Sequence, residues 1–175
     1  MRTSKLVLIA VASAHGSTTE IARAIQATLR DHGITADLIP ASRVESLEDY
    51  DAVIVGSAVY TGHWLRSAQD FAVRFRDELA TRPVWLFSSG PVGDPAGKMT
   101  KSMDIDPPEV TALRETVHLR GHRMFGGKLD PKQLHGFQRV ALLLVGRLRG
   151  DYRDWRQIED WAEKIAADLT ALPAR

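Results

Sequence analysis

Val11-Ala12-Ser13-Ala14-His15-Gly16-Ser17-Thr18-Thr19-Glu20 joins the end of an apolar run to the start of a helical pattern within a few residues. The upstream run Leu6 to Ala12 is apolar throughout and fits a strand buried on both faces, and helical spacing begins at Ile21. Ser17 with Glu20 three residues later has the capping-box pattern and predicts a helix start near residue 18. First-turn N–H groups have no partner inside a helix, and their dipoles stabilise an anion at that end of it. Gly16 would let backbone approach that anion, with Ser13, Ser17, Thr18 and Thr19 as hydroxyl donors. An ordinary strand-to-helix turn with a good cap has the same composition, so the rest of the chain has to decide between the two.

A chain of 175 residues with 44% apolar content is large enough for one well-buried core and short for two, so a single domain over 1–175 is expected. The absence of cysteine excludes disulfides, thiolate nucleophiles and Cys-ligated metal, and suits a reducing compartment. Met1 to Lys5 leads into an apolar run too short for a signal peptide or a membrane span. The expected location is therefore cytoplasmic, with peripheral contact at the inner face of the membrane as an option. A formal net charge of +1 argues against a chain built to coat nucleic acid.

Ile21, Ala24, Ile25 and Leu29 mark one helical face, with Gly33 as a stop. Ile34 to Ile39 reads as a second strand ended by Pro40, and Asp51 to Gly56 as a third. Trp64, Ala68, Phe71, Ala72, Phe75 and Leu79 have the spacing of one core-facing helix. Val84 to Phe87 reads as a fourth strand running into the turn-rich Ser88 to Pro95. Strands alternating with helices favour a parallel sheet covered on both faces. In such sheets ligands sit beyond the carboxyl ends of the strands, and the loops 13–18, 57–63 and 88–93 all open on that edge. Hydroxyls, an aromatic ring and glycines together suit a planar, phosphorylated cofactor.

These residues resemble the flavodoxin-like proteins, specifically the flavodoxin-domain group that includes the bacterial quinone-dependent protoporphyrinogen oxidase. The resemblance rests on an ordered set: Ser13 to Thr18 with Glu20-Ile21-Ala22, then Gly56 to Trp64, then Phe125-Gly-Gly-Lys-Leu129 in the place of the fifth strand, then Asp151-Tyr-Arg-Asp-Trp155 before a final helix. It implies a flavodoxin-like, doubly wound five-stranded parallel sheet in the order 2-1-3-4-5 that binds FMN non-covalently. By the same resemblance Ser13, His15, Gly16, Ser17 and Thr18 match the phosphate loop. Ala58, Val59, Tyr60, Thr61 and Gly62 would lie along one side of the ring, and Ser89, Gly90, Pro91, Val92 and Gly93 along the other. Ala14 and His15 stand where ordinary flavodoxins carry hydroxyls, a departure that implies either weaker phosphate binding or room for another tail, such as that of the deazaflavin coenzyme F-420.

Shuttle flavodoxins are strongly acidic and dock on basic partners, whereas this chain is neutral to slightly basic. An oxidoreductase acting on a quinone and on a porphyrinogen or similar reduced substrate is favoured on that ground. The alternative is a small redox carrier serving a partner protein. The apolar helix read over 137–148 suits core packing, a homodimer contact or a lipid surface. No acid–base pair stands out, so no catalytic side chain is assigned. His118, His122 and His135 lack the spacing of a metal site, so no metal is assigned. If the hydroxyls of Ser17 and Thr18 hold a charged phosphate, replacing both by alanine weakens cofactor binding by about 1–3 kcal/mol, and a titration showing unchanged affinity would mean the loop is misread.

Overall fold

The computed structural model describes residues 5–90, 106–129 and 150–173. Strand β1 (Leu6–Ala12) lies between β2 (Thr35–Pro40) and β3 (Ala52–Tyr60), parallel to both. Beyond β3 come β5 (Pro83–Gly90) and β6 (His118–Gly126), which complete five parallel strands in the order β2-β1-β3-β5-β6. The short β4 (His63–Trp64) folds back antiparallel on β3. With β4 set aside, this is the expected 2-1-3-4-5 order.

Alternation along β1 explains the layers. Val7, Ile9 and Val11 point to one face, where they meet Ile21, Ile25 and Leu29 of α1 (Ser17–Asp31) and Ile158, Ile165 and Leu169 of α5 (Trp155–Ala171). Leu8 and Ala10 point to the other, toward Ala68 and Phe71 of α2 (Arg66–Arg74), Leu79 of α3 (Arg76–Ala80) and Val110 and Leu113 of α4 (Pro108–Thr116). Two polar devices fasten the edges. Asp51 Oδ2 accepts the Leu6 N–H at 2.9 Å, tying the start of β1 to the start of β3. Lys5 Nζ donates to the carbonyls of Leu169 and Leu172, placing a cation at the carboxyl end of α5 where the helix dipole favours it.

Several boundaries differ from the sequence reading. The predicted loops 57–63 and 88–93 begin later, because β3 continues through Ser57-Ala58-Val59-Tyr60 and β5 through Ser88-Ser89-Gly90. Their ladder persists through Ser57↔Ser88 and Ala58↔Ser89, so small polar residues stay in the sheet where the backbone pairing holds them. Trp64 belongs to β4 and not to the helix, and the helix itself breaks at Phe75 into α2 and α3. The fifth parallel strand is His118–Gly126, not 125–129, since an edge strand can carry His118, Arg120 and Arg123. Lys128–Leu129 instead forms β7, antiparallel to β8 (Gly150–Asp151). The helix read over 137–148 lies outside the described residues.

One glycine in the sheet is dictated by packing. A Cβ on Gly56 would stand 2.0 Å from the Phe87 ring, which fills the core beside it. Gly56→Ala is expected to cost about 1–3 kcal/mol or more by overpacking. A urea midpoint within error of the parent would show that Phe87 has room to move.

Candidate functional site

The chain turns from β1 into α1 at Gly16, whose φ of 87° is left-handed and cheap only for glycine. Gly16 is itself the N-cap, and the predicted Ser17 capping box is not made. Ser13 Oγ accepts the Gly16 N–H at 3.0 Å, and the first helical bond runs from Glu20 N to Gly16 O at 3.0 Å. The amides of Ser17, Thr18 and Thr19 are therefore left without helical acceptors. Ser17 sits in the first turn with its hydroxyl free of capping duty. Thr18 is fully buried, and its hydroxyl has no hydrogen-bond partner among the described residues. His15 is exposed and meets Tyr60 edge to face, with ring centroids 6.4 Å apart.

That contact brings the second predicted loop to the first. β3 outruns its neighbours: its pairing with β1 stops at Ser57 and with β5 at Ala58. Val59 and Tyr60 continue into a two-residue hairpin, Tyr60 pairing with His63 across Thr61 and Gly62. Both tip residues have positive φ, 51° and 84°, as a tight hairpin turn requires. For glycine this is free, but for a β-branched threonine it is strained, so the hairpin must be held by its surroundings. Partial burial of the Tyr60 ring pushes its phenol further above the ordinary value of 10. Ala58 and Val59 are buried strand positions, so only their backbone is on offer at this edge.

The holding groups lie underneath. Ser57 Oγ accepts the Leu65 N–H at 3.0 Å, Glu109 accepts the Trp64 N–H at 3.2 Å and pairs with His63 Nδ1 at 3.0 Å, and Ser88 Oγ accepts the Trp64 indole N–H at 2.8 Å. Sequence reading misses these supports, because serines at strand ends and a glutamate on α4 carry no local signature. The pairing Ser57↔Ser88 hints at them, and it needs the register.

Ser89 and Gly90 of the third predicted segment are buried in β5. A Cβ on Gly127 would stand 2.3 Å from the Gly90 carbonyl, so the exit of β6 crosses the end of β5 at backbone contact. Pro91, Val92 and Gly93 lie outside the described residues. The late motif acquires a role from its contacts. Arg153, with its side chain only 3% exposed, pairs with Asp151 through Nε at 2.7 Å, reaches Glu20 in the first turn of α1, and lies 4.5 Å over the Trp155 ring. Those hydrogen bonds hold the Asp151 carboxyl below its ordinary range. Asp154 caps α5 by accepting the Gln157 N–H at 3.1 Å. The start of α5 is thus clamped behind the amino end of α1.

The residues therefore supply a helix start with free first-turn amides and a spare buried hydroxyl, an aromatic hairpin standing over the sheet edge, and backbone from two strand ends. A phosphate and a planar ring both fit this set of donors. The chain is 25% identical over 183 residues to the protoporphyrinogen IX dehydrogenase (quinone) of Escherichia coli strain K12, covering 95% of this chain and 97% of that protein. A flavodoxin from Streptococcus pneumoniae TIGR4 superposes with a TM-score of 0.62 at 21% identity, over 93% of this chain and 99% of its own. A cysteine variant of a Pseudomonas aeruginosa flavodoxin gives a TM-score of 0.63 at 19% identity, over 95% and 99%. At those identities the two structures speak for the fold alone. The model of the flavodoxin domain matches residues 8–155, from β1 to the first residue of α5, and the chain belongs to that family.

Proposed function

We propose that this chain binds FMN without covalent attachment and works as an oxidoreductase on a quinone-like acceptor and a porphyrinogen or similar reduced donor. The observation that carries the cofactor reading is the Thr18 hydroxyl, buried and unpartnered at the amino end of α1. An unsatisfied buried hydroxyl costs about 1–3 kcal/mol, a cost that persists where a ligand relieves it. A phosphate monoester offers acceptors to that hydroxyl and to the leftover amides of residues 17–19 together, with the helix dipole favouring its charge.

Ser17, Thr18 and Thr19 would hold the phosphate, with Gly16 allowing close backbone approach and His15 at the rim. Tyr60, Thr61 and Gly62 would cover the ring from the hairpin, and the backbone of Ala58, Val59, Ser89 and Gly90 would border it. Bound there, a flavin supplies hydride or single-electron transfer. The chain's own part is to place the ring, shield it with the hairpin and leave an approach for substrate.

Two facts support an enzyme over a carrier. The match to the dehydrogenase runs through 97% of that protein, and the net charge of +1 lacks the acidic excess that suits docking on basic partners. Among the described residues no helix is long and apolar enough to cross a membrane.

Purified protein should show a flavin absorption spectrum or acquire one on FMN addition. Mass spectrometry of the released ligand distinguishes FMN from the deazaflavin coenzyme F-420, and a protein that takes up neither ends this reading. Turnover of protoporphyrinogen with menadione, at a rate above free flavin, is expected of the loaded protein; no excess rate would leave a carrier. Thr18→Val keeps the side chain's shape while removing its hydroxyl. This variant should raise the apoprotein's stability by about 1 kcal/mol while weakening FMN binding about tenfold. Unchanged FMN affinity would show that the hydroxyl has another purpose.

A further inference from the structure

A second polar chain runs under the hairpin, on the sheet face that packs against α2 and α4. Trp64 Nε1 donates to Ser88 Oγ at 2.8 Å, Ser88 Oγ lies 3.0 Å from His122 Nε2, His122 Nδ1 lies 2.9 Å from Asp106 Oδ1, and Arg114 donates to Asp106 Oδ2 at 2.7 Å. The order serine, histidine, aspartate is that of a nucleophile, its base and an orienting acid. Here the serine is fully buried beneath the hairpin and already accepts a hydrogen bond from an indole, so no substrate carbonyl reaches it. The chain has a different use.

We propose that His122 is a positioning residue: through Ser88 it sets where the Trp64 end of the hairpin sits, and so where Tyr60, Thr61 and Gly62 stand at the site. The direction of every bond follows from which groups can donate. An indole N–H only donates and a carboxylate only accepts, so Ser88 Oγ accepts from Trp64 and the proton of His122 sits on Nδ1, toward Asp106. His122 Nε2 is then bare and accepts a hydrogen bond from the Ser88 hydroxyl. Each donor in the chain has an acceptor only in this tautomer. The alternative tautomer, or the imidazolium, places a second N–H against Ser88 Oγ and leaves the serine proton without its acceptor.

The surroundings support the neutral ring. The His122 side chain is 5% exposed, and its burial lowers the pKa below the ordinary 6.5; Asp106 pulls the other way and Arg114 adds to the lowering. Glu109 and His63, titratable groups at the same end of the hairpin, lie 3.0 Å apart and face each other. Hydrogen bonding to a uniquely oriented imidazole matters here because the hairpin tip is strained at Thr61 and β4 has only two residues to hold it.

The two amide substitutions separate positioning from bulk. A glutamine amide reaches about as far as Nε2 and can still accept from Ser88, whereas an asparagine amide reaches only as far as Nδ1. His122→Asn should speed hydrogen exchange of the Trp64 indole N–H about tenfold while core amides such as Ile9 keep their protection, and His122→Gln should stay within about threefold of the parent. Nitrogen-15 shifts of the unsubstituted protein should show His122 protonated on Nδ1 and bare on Nε2 at neutral pH. Finding the proton on Nε2, equal exchange in the two variants, or a uniform loss of protection across the core would overturn the proposal. The consequence for the cofactor rests on the FMN reading: His122→Asn should then weaken FMN binding severalfold and His122→Gln should not. Parent protein that takes up no FMN ends that reading, while the tautomer and exchange measurements, made without ligand, still decide this one.

Discussion

Burial of β1 on both faces is the constraint from which the rest follows. Val7, Leu8, Ile9 and Ala10 have no exposed surface, so helices must cover the sheet on either side of them. A parallel strand covered in this way reaches its neighbours only by crossover connections, which carry the chain back to the starting edge each time. The ends of β1, β3 and β5 consequently open on one edge, and the polar residues after β1 become the start of α1. Arg153 then locks α5 to that same turn through Glu20, so the helix start is braced from behind. The geometry of that helix start, with its unpaired first-turn amides, is a by-product of how the core closes.

Holding a hairpin above that edge is a separate physical problem. Beyond Ala58 the third strand has, among the described residues, no sheet neighbour except its own return strand, and the turn includes a threonine in a glycine-like conformation. Side-chain hydrogen bonds supply what the ladder no longer can. Ser57 holds Leu65, Glu109 holds Trp64 and His63, and Ser88 holds the indole, with His122 and Asp106 orienting Ser88 in turn. Together they place Tyr60 against His15, which joins the turn before α1 to the hairpin.

Family membership accounts for the scaffold and leaves the chemistry to the chain's particulars. The fold is shared with flavodoxins at about a fifth identical residues, while the relation to the dehydrogenase extends over nearly the full length of both proteins. The motif Asp151 to Trp155 illustrates how a family resemblance turns into physics: one aspartate and one arginine clamp α1, the next aspartate caps α5, and the tryptophan lies under the guanidinium. None of its members points to reaction chemistry.

The sequence by itself determined the parallel sheet, the order of its helices and the position of the hydroxyl-rich turn, because apolar runs and helical periodicity report burial directly. It also singled out Ser13 to Thr18 and Tyr60 to Gly62, since hydroxyls, glycines and an aromatic ring are visible as residue types. Edge strand β6 escaped that reading, because its alternating charges look like loop when only one neighbour is present. The true ends of β3 and β5 escaped it as well, because serines stay in a strand only when a partner in register pairs with them. Tertiary structure alone decided that Gly16 and not Ser17 caps α1, that the Thr18 hydroxyl is buried without a partner among the described residues, and that Ser88, His122 and Asp106 line up beneath Trp64. Those facts depend on contacts between residues far apart in the chain, or on backbone angles, and no local pattern encodes either.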